Sequence, residues 1–326
     1  MASLSREQLL EAEKEQGWKL LSIPGGFSEL KVSTLEGIFS RLTGYDLFRD
    51  KCASICSAAL SPDGKTIAFF MYIKHKDAMN FSDMGLFSVD ADGKNLAPVN
   101  KHLFPFCFAH SSYGGGISWS PNAKQLAFIG KPEADYANKE LDSFFSRTAS
   151  VSPQDLYIVD LKSRKTDPLA VNNVRNIYSQ AWSPDGRELC YVNTAGEIVI
   201  HNAVSNYARK LAQGDYPSWS KDGRWIMFRE GPAAAGRYVI MNPLASDRRL
   251  FCAAQAGWLE SPLFKPGVPV SSYPLWSPDG KRVLLSSTDT RVNRSTHYII
   301  DLMTREFIKF ENDLIFVSWE GGTLRE

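Results

Sequence analysis

One short stretch is written several times along this chain. Trp276-Ser277-Pro278-Asp279-Gly280-Lys281 and Trp182-Ser183-Pro184-Asp185-Gly186-Arg187 are nearly identical. Trp219-Ser220-Lys221-Asp222-Gly223-Arg224 and Trp119-Ser120-Pro121-Asn122-Ala123-Lys124 are weaker copies, and Leu60-Ser61-Pro62-Asp63-Gly64-Lys65 lacks only the Trp. A damaged sixth copy stands at Ser318-Trp319-Glu320-Gly321-Gly322. A unit that recurs in this way limits the chain to a repeat architecture, because each unit buries its apolar face only against the next.

The grammar around each copy is constant. An apolar strand runs into the Trp, the Ser-Pro-Asp-Gly turn follows, and a second apolar strand leaves it, such as Thr66–Met71, Gln125–Ile129, Glu188–Val192 or Arg282–Ser286. A third strand ends on Asp90, Asp160, Asn202, Asn242 or Asp301, and a shorter fourth completes the unit, as in Arg249–Cys252. Pro presets φ near −65° in the turn, and Asp and Gly suit the positions after it. The recurring Asx residues suit turn initiation, so they read as structural and not catalytic. The Trp, at the end of the first strand, suits the wedge between neighbouring sheets.

Four short strands per unit predict an all-β propeller, and six anchors predict six four-stranded blades. The few residues after Trp319 cannot complete a blade. Strands from residues 18–50 are expected to do so, pairing the two chain ends and closing the ring against exposed sheet edges. Residues 1–17 read as a short N-terminal helix with a Ser5/Gln8 capping box, and residues 18–326 as a single propeller domain. Residues 133–147 read as a helical insertion in one loop.

The motif Trp/Leu-Ser-Pro-Asp-Gly-Lys/Arg, an apolar strand and then Leu/Ile-Tyr-Ile-Val-Asp resembles the repeat of TolB-like six-bladed propellers. Related repeats occur in the propeller domains of prolyl-oligopeptidase-type enzymes and in oligogalacturonate lyases. The resemblance spans residues 52–319 and implies architecture far more than activity, since such folds host many functions. The cell-envelope role of TolB is not carried over, because the first twenty residues hold Glu7, Glu11, Glu13 and Glu15 and no apolar leader core.

Composition narrows the partners. A formal net charge of +1 over 326 residues favours neither nucleic acid nor an anionic membrane. No apolar run approaches the roughly 20 residues that span a bilayer. Five cysteines without metal spacing suggest free thiols and a reducing compartment. The expectation is a cytoplasmic monomer.

With strands antiparallel in order, the motif turns fall on one face of the ring, and the long connections fall on the other. These are 73–84, 100–116, 130–153, 171–178, 254–273 and 286–296. Long loops converging on one face suggest a binding face there. Tyr216, Tyr273 and Phe316 each stand three before their Trp and Tyr178 stands four before, which suggests an aromatic rim. Arg175, Arg229, Arg237, Arg291 and Arg294, with Trp258 and His110, belong to the same face. Aromatics with arginines suit a sugar, a peptide segment or a small anion.

The function reading is a non-catalytic binding or scaffold propeller that engages a small polar ligand or a peptide on the long-loop face, with no cofactor. The alternative is a propeller enzyme, a lyase or hydrolase acting on a carbohydrate at the same face. If it uses a divalent metal, His102, His110 and His297 are its candidate ligands. A Gly-x-Ser-x-Gly nucleophile elbow is absent from the sequence.

Overall fold

The computed structural model describes residues 6–17, 19–24, 29–33, 46–49, 53–74, 81–100, 103–105, 116–132, 154–174, 181–193, 195–231, 237–252, 273–289, 294–304, 306–312 and 314–321. Among these the helix is Arg6–Gln16, closed by Gly17 at φ 63° with its N–H on the Glu13 carbonyl. The expected helical insertion at 133–147 lies outside the described residues.

The expectation of six four-stranded blades needs correction. Of the six sheets, the one at Trp119 has five strands, and the other five are four-stranded blades. Four of them are colinear with the chain: the blades that begin with Ala53–Leu60, Ala181–Trp182, Asp215–Trp219 and Leu275–Trp276. The fifth joins the chain ends. Leu314–Glu320 pairs with Lys19–Pro24, which pairs with Glu29–Ser33 and then Asp46–Arg49. Its strands follow the expected closure, with three of the four drawn from residues 18–50.

The sheet at Trp119 departs from the four-strand pattern. Its first strand, Ile117–Trp119, is only three residues long and covers half of its neighbour Gln125–Pro132. Leu103–Pro105 fills the other half, pairing Gly130, Lys131 and Pro132, so this sheet has five strands. A long strand leaves its remaining backbone groups unpaired unless a second segment arrives to bond them.

Hairpin strands are longer than the loops expected between them. Thr66–Lys74 pairs with Phe81–Asp90, and Arg282–Asp289 pairs with Arg294–Asp301. Much of the expected loops at 73–84 and 286–296 is therefore ladder, and Thr166–Val174 takes up part of 171–178.

The motif turns work through the serine as well as the Pro, Asp and Gly. In each complete copy the Ser hydroxyl donates to the Asx carboxylate or amide oxygen two residues on, at 2.5–2.8 Å. The same hydroxyl accepts the backbone N–H five residues on, at 2.9 Å. The Gly then takes φ of 68–72°, a conformation that costs little without a Cβ. Ala123 adopts φ 56° in the Trp119 copy. Asp160, Asn202, Asn242 and Asp301 accept backbone N–H groups in the turns after the third strand, which makes them structural.

The core lies between sheets. Trp119 packs with Ala59, Phe70 and Leu86 of the preceding blade, Trp219 with Cys190 and Ile200, and Trp276 with Met227 and Tyr238. The indole N–H of Trp119 bonds the Ala59 carbonyl at 2.9 Å, tying this wedge to its neighbour's first strand. Trp319 closes the series against Leu275, Leu284 and Ile299.

Candidate functional site

The motif turns form a ring at the mouth of the central channel. The second turn residue of each of three blades packs on the glycine of the next. A Cβ at Gly186 would stand 3.6 Å from Pro121, at Gly223 3.7 Å from Pro184, and at Gly280 3.4 Å from the Lys221 Cβ. Inside this ring lies a cavity of about 360 Å³ lined by the five anchor tryptophans, Ser218, Ser318, Tyr273, Lys221 and Glu320. That volume lies within the range of small-molecule pockets.

Two departures from the repeat meet at its wall. Lys221 stands where four copies carry Pro, and Glu320 stands where the others carry Ser. The Lys221 ammonium donates to both Glu320 carboxylate oxygens, at 2.8 and 2.6 Å. The two belong to blades that are not neighbours; the Lys221 stem crosses over Gly280 of the blade between them. Burial pushes the Glu320 carboxyl up, against the pull of the Lys221 ammonium. Tyr273 hydrogen-bonds the Ser218 side chain, and loss of water around its hydroxyl pushes the phenol up.

The residues expected on the long-loop face go to different places. Tyr178, Trp258, Arg175, Arg291, His102 and His110 lie outside the described residues. Tyr216 takes φ 58° and holds its ring 4.7 Å beneath the Arg229 guanidinium. Arg229, 6% exposed, pairs with Asp215 at 3.4 Å. Tyr273 lines the channel cavity, Phe316 is buried against His297 and Phe310, and Arg237 pairs with Glu230 beside Arg248. The structure thus joins Tyr216 to Arg229 and separates both from Tyr273 and Phe316.

Backbone geometry fixes the Tyr216–Arg229 contact. Gly214 has φ 157°, and a Cβ there would fall 2.5 Å from the Arg229 carbonyl oxygen. Replacing Gly214 with Ala is expected to lower stability by about 1–3 kcal/mol, since the clash is with backbone and cannot rotate away. A urea midpoint equal to that of the parent protein would show that this segment yields freely.

His297 does not present a free ligand face. Its Nδ1 lies 2.7 Å from the Ser286 hydroxyl and its Nε2 2.8 Å from Asn312 Oδ1. Among the described residues no group of three His, Cys, Asp or Glu side chains is placed to hold a metal. The residues described here do not fit a metal centre. His201 is buried, and neither ring nitrogen meets a partner at hydrogen-bond geometry.

Sequence reasoning passed over Lys221, Glu320 and Ser218. The signal for the first two was present: Lys221 breaks an otherwise regular motif copy, and Glu320 holds the Ser slot of the damaged one.

No family model matches the chain. Dipeptidyl-peptidase 5 of Arthroderma otae is 30% identical over 243 residues, which is 70% of this chain and 31% of that protein. The chain therefore spans under a third of the length of this curated relative. Among solved structures, a TolB-type protein of Agrobacterium tumefaciens superposes with a TM-score of 0.55 at 15% identity, covering 94% of this chain and 91% of that one. A chain of a nidogen/laminin complex gives 0.56 at 12% identity, covering 95% and 100%. An oligogalacturonate lyase in complex with manganese gives 0.53 at 14% identity, covering 86% and 69%. Identities this low speak for fold alone. The chain is a β-propeller, and its fold is shared by a TolB-type protein, a chain of a nidogen/laminin complex and an oligogalacturonate lyase.

The expected cytoplasmic placement is corrected on the same ground. TolB itself is a periplasmic protein, so a fold shared with a TolB-type protein gives the cytoplasm no preference. Among the described residues no helix is long and apolar enough to cross a membrane.

Proposed function

We propose that this chain is a propeller of the hydrolase kind that handles short peptides in its central channel. The observation that carries the reading is the sequence match to a dipeptidyl-peptidase, at 30% identity over 243 residues. The channel cavity supports it, with walls that mix tryptophan and proline side chains with serines, Lys221 and Glu320. The role assigned to the propeller is to hold and select peptide; no bond-breaking residue is assigned.

The experiment uses the channel's own reporters. Five tryptophans line the cavity, so a bound peptide is expected to change intrinsic fluorescence in a saturable way. Peptides of two to four residues, free and end-blocked, are titrated beside oligogalacturonides. Saturation by peptides and not by the saccharides is the expected result. Saturation by saccharides alone would sink the peptide reading.

A second reading keeps the carbohydrate lyase or hydrolase on the long-loop face, with Tyr178, Tyr216, Trp258, Arg175, Arg229 and Arg291 around the ligand. The Arg229 guanidinium stacked on Tyr216 and paired with Asp215 favours it, because a fixed cation beside an aromatic ring suits an acidic sugar.

A further inference from the structure

We infer that the Lys221–Glu320 pair is the binding site for a zwitterion, a small molecule that carries an ammonium and a carboxylate, such as a free dipeptide. The inference rests on the channel reading above and adds the chemistry of the ligand.

The repeat itself supplies the reasoning. Pro in the second turn position and Ser in the first are what the turn needs. Pro62, Pro121, Pro184 and Pro278 hold the one slot, and Ser61, Ser120, Ser183, Ser220 and Ser277 the other. Lys221 and Glu320 do not serve the turns they stand in. Glu320 is followed by two glycines, with no Asx for a hydroxyl to bond. Each side chain points instead to the other across an intervening blade.

Stability gives a weak reason for this arrangement. Side-chain exposures of 33% and 19% leave both groups largely out of water, and desolvation of such a pair offsets most of its attraction. Pro and Ser would fill the same slots, as they do in the other copies.

Chemistry then selects the ligand. Both residues line the cavity. A ligand bearing only a carboxylate would take Lys221 and strand Glu320 as an unpaired, poorly hydrated charge. A ligand bearing only an ammonium would strand Lys221. A zwitterion separates the pair and satisfies both members, its carboxylate on Lys221 and its ammonium on Glu320, so the two ion pairs formed replace the one broken. The anchor tryptophans, Tyr273 and Ser218 surround what lies between the two ends.

The test titrates alanylalanine, N-acetyl-alanylalanine and alanylalanine amide, read by tryptophan fluorescence and calorimetry. Free alanylalanine is expected to bind at least tenfold tighter than either blocked form, and Lys221→Met or Glu320→Gln should remove that preference. The double replacement Lys221→Pro with Glu320→Ser puts into these two slots the residues that the other copies carry there. It is expected to keep the melting temperature of the parent while losing the dipeptide, which separates binding from folding. Equal binding of free and blocked peptides, or full binding by the single variants, overturns the zwitterion site and leaves the channel reading standing. No fluorescence change with any peptide overturns both.

Discussion

Replacement of Trp319 by Ala is expected to lower unfolding free energy by about 3–5 kcal/mol, the range for a large aromatic truncated to Ala in a core. Trp319 is 1% exposed and among the largest fully buried side chains. It packs with Leu20, Leu275, Leu284, Ile299 and Phe316, so its cavity would open where the closing blade meets its neighbour. Its position adds to the effect. Leu20 pairs with Trp319 and Leu21 with Ser318 in the ladder that joins the chain ends. Loss of the wedge at that seam weakens the single junction on which ring closure depends. Urea unfolding is the measurement. A loss below about 1 kcal/mol would mean that closure does not rest on this side chain.

Acid is expected to destabilise the fold below about pH 6.5 through His297, by up to about 3 kcal/mol near pH 4. The imidazole is fully buried between Phe310 and Phe316, with ring centroids at 5.0 and 4.7 Å. Asn312 Oδ1 accepts the backbone N–H of Leu314 at 2.9 Å, so it meets His297 as an acceptor too, and the imidazole proton sits on Nε2. The other nitrogen, Nδ1, then accepts from the Ser286 hydroxyl. Burial pushes the His297 pKa down to about 4. The unfolded chain titrates near 6.5, so between the two values it binds more protons than the folded state. Stability is then complete above about pH 6.5 and falls as pH drops toward 4. His201, whose pKa is also lowered by burial, acts with the same sign.

His297→Gln separates the two histidines. The variant is expected to lose about 1–2 kcal/mol at pH 7.5 from the broken hydrogen bonds, and to show a flatter decline between pH 6.5 and 4. Parallel pH profiles for parent and variant would remove His297 as the cause. The network also explains a structural choice: Ser286, His297 and Asn312 lie on three successive strands of one blade, and Asn312 holds Leu314, where the closing strand begins.

Tyr216, Tyr273 and Phe316 lie apart for a definable reason. They share an offset from their Trp, and an equal offset implies an equal facing only along an unbroken strand. The register shifts between Asp215 and Ser218, where Tyr216 takes its positive φ, and the closing ladder shifts between Leu21 and Ser22. Tyr273 precedes a strand of two residues, Leu275–Trp276. A bulge turns each side chain to a different face. The offset therefore sends one residue to a cation–π contact, one to the channel and one to the core.

The sequence by itself determined what depends on local chemistry. Ser-Pro-Asp-Gly is a turn wherever it is written, because the hydroxyl, the carboxylate and the glycine act within six residues of each other. Its repetition, and the missing strands at one end, were enough to require a ring closed by both termini. Only the tertiary structure decided which departures from the motif matter. Lys221 and Glu320 are 99 positions apart and read singly as decay of a repeat. A closed ring brings blades that are not neighbours to one central mouth, and at that distance a lysine stem spans the gap to a glutamate. Linear spacing carries no record of that meeting, because the closure of the whole ring sets it.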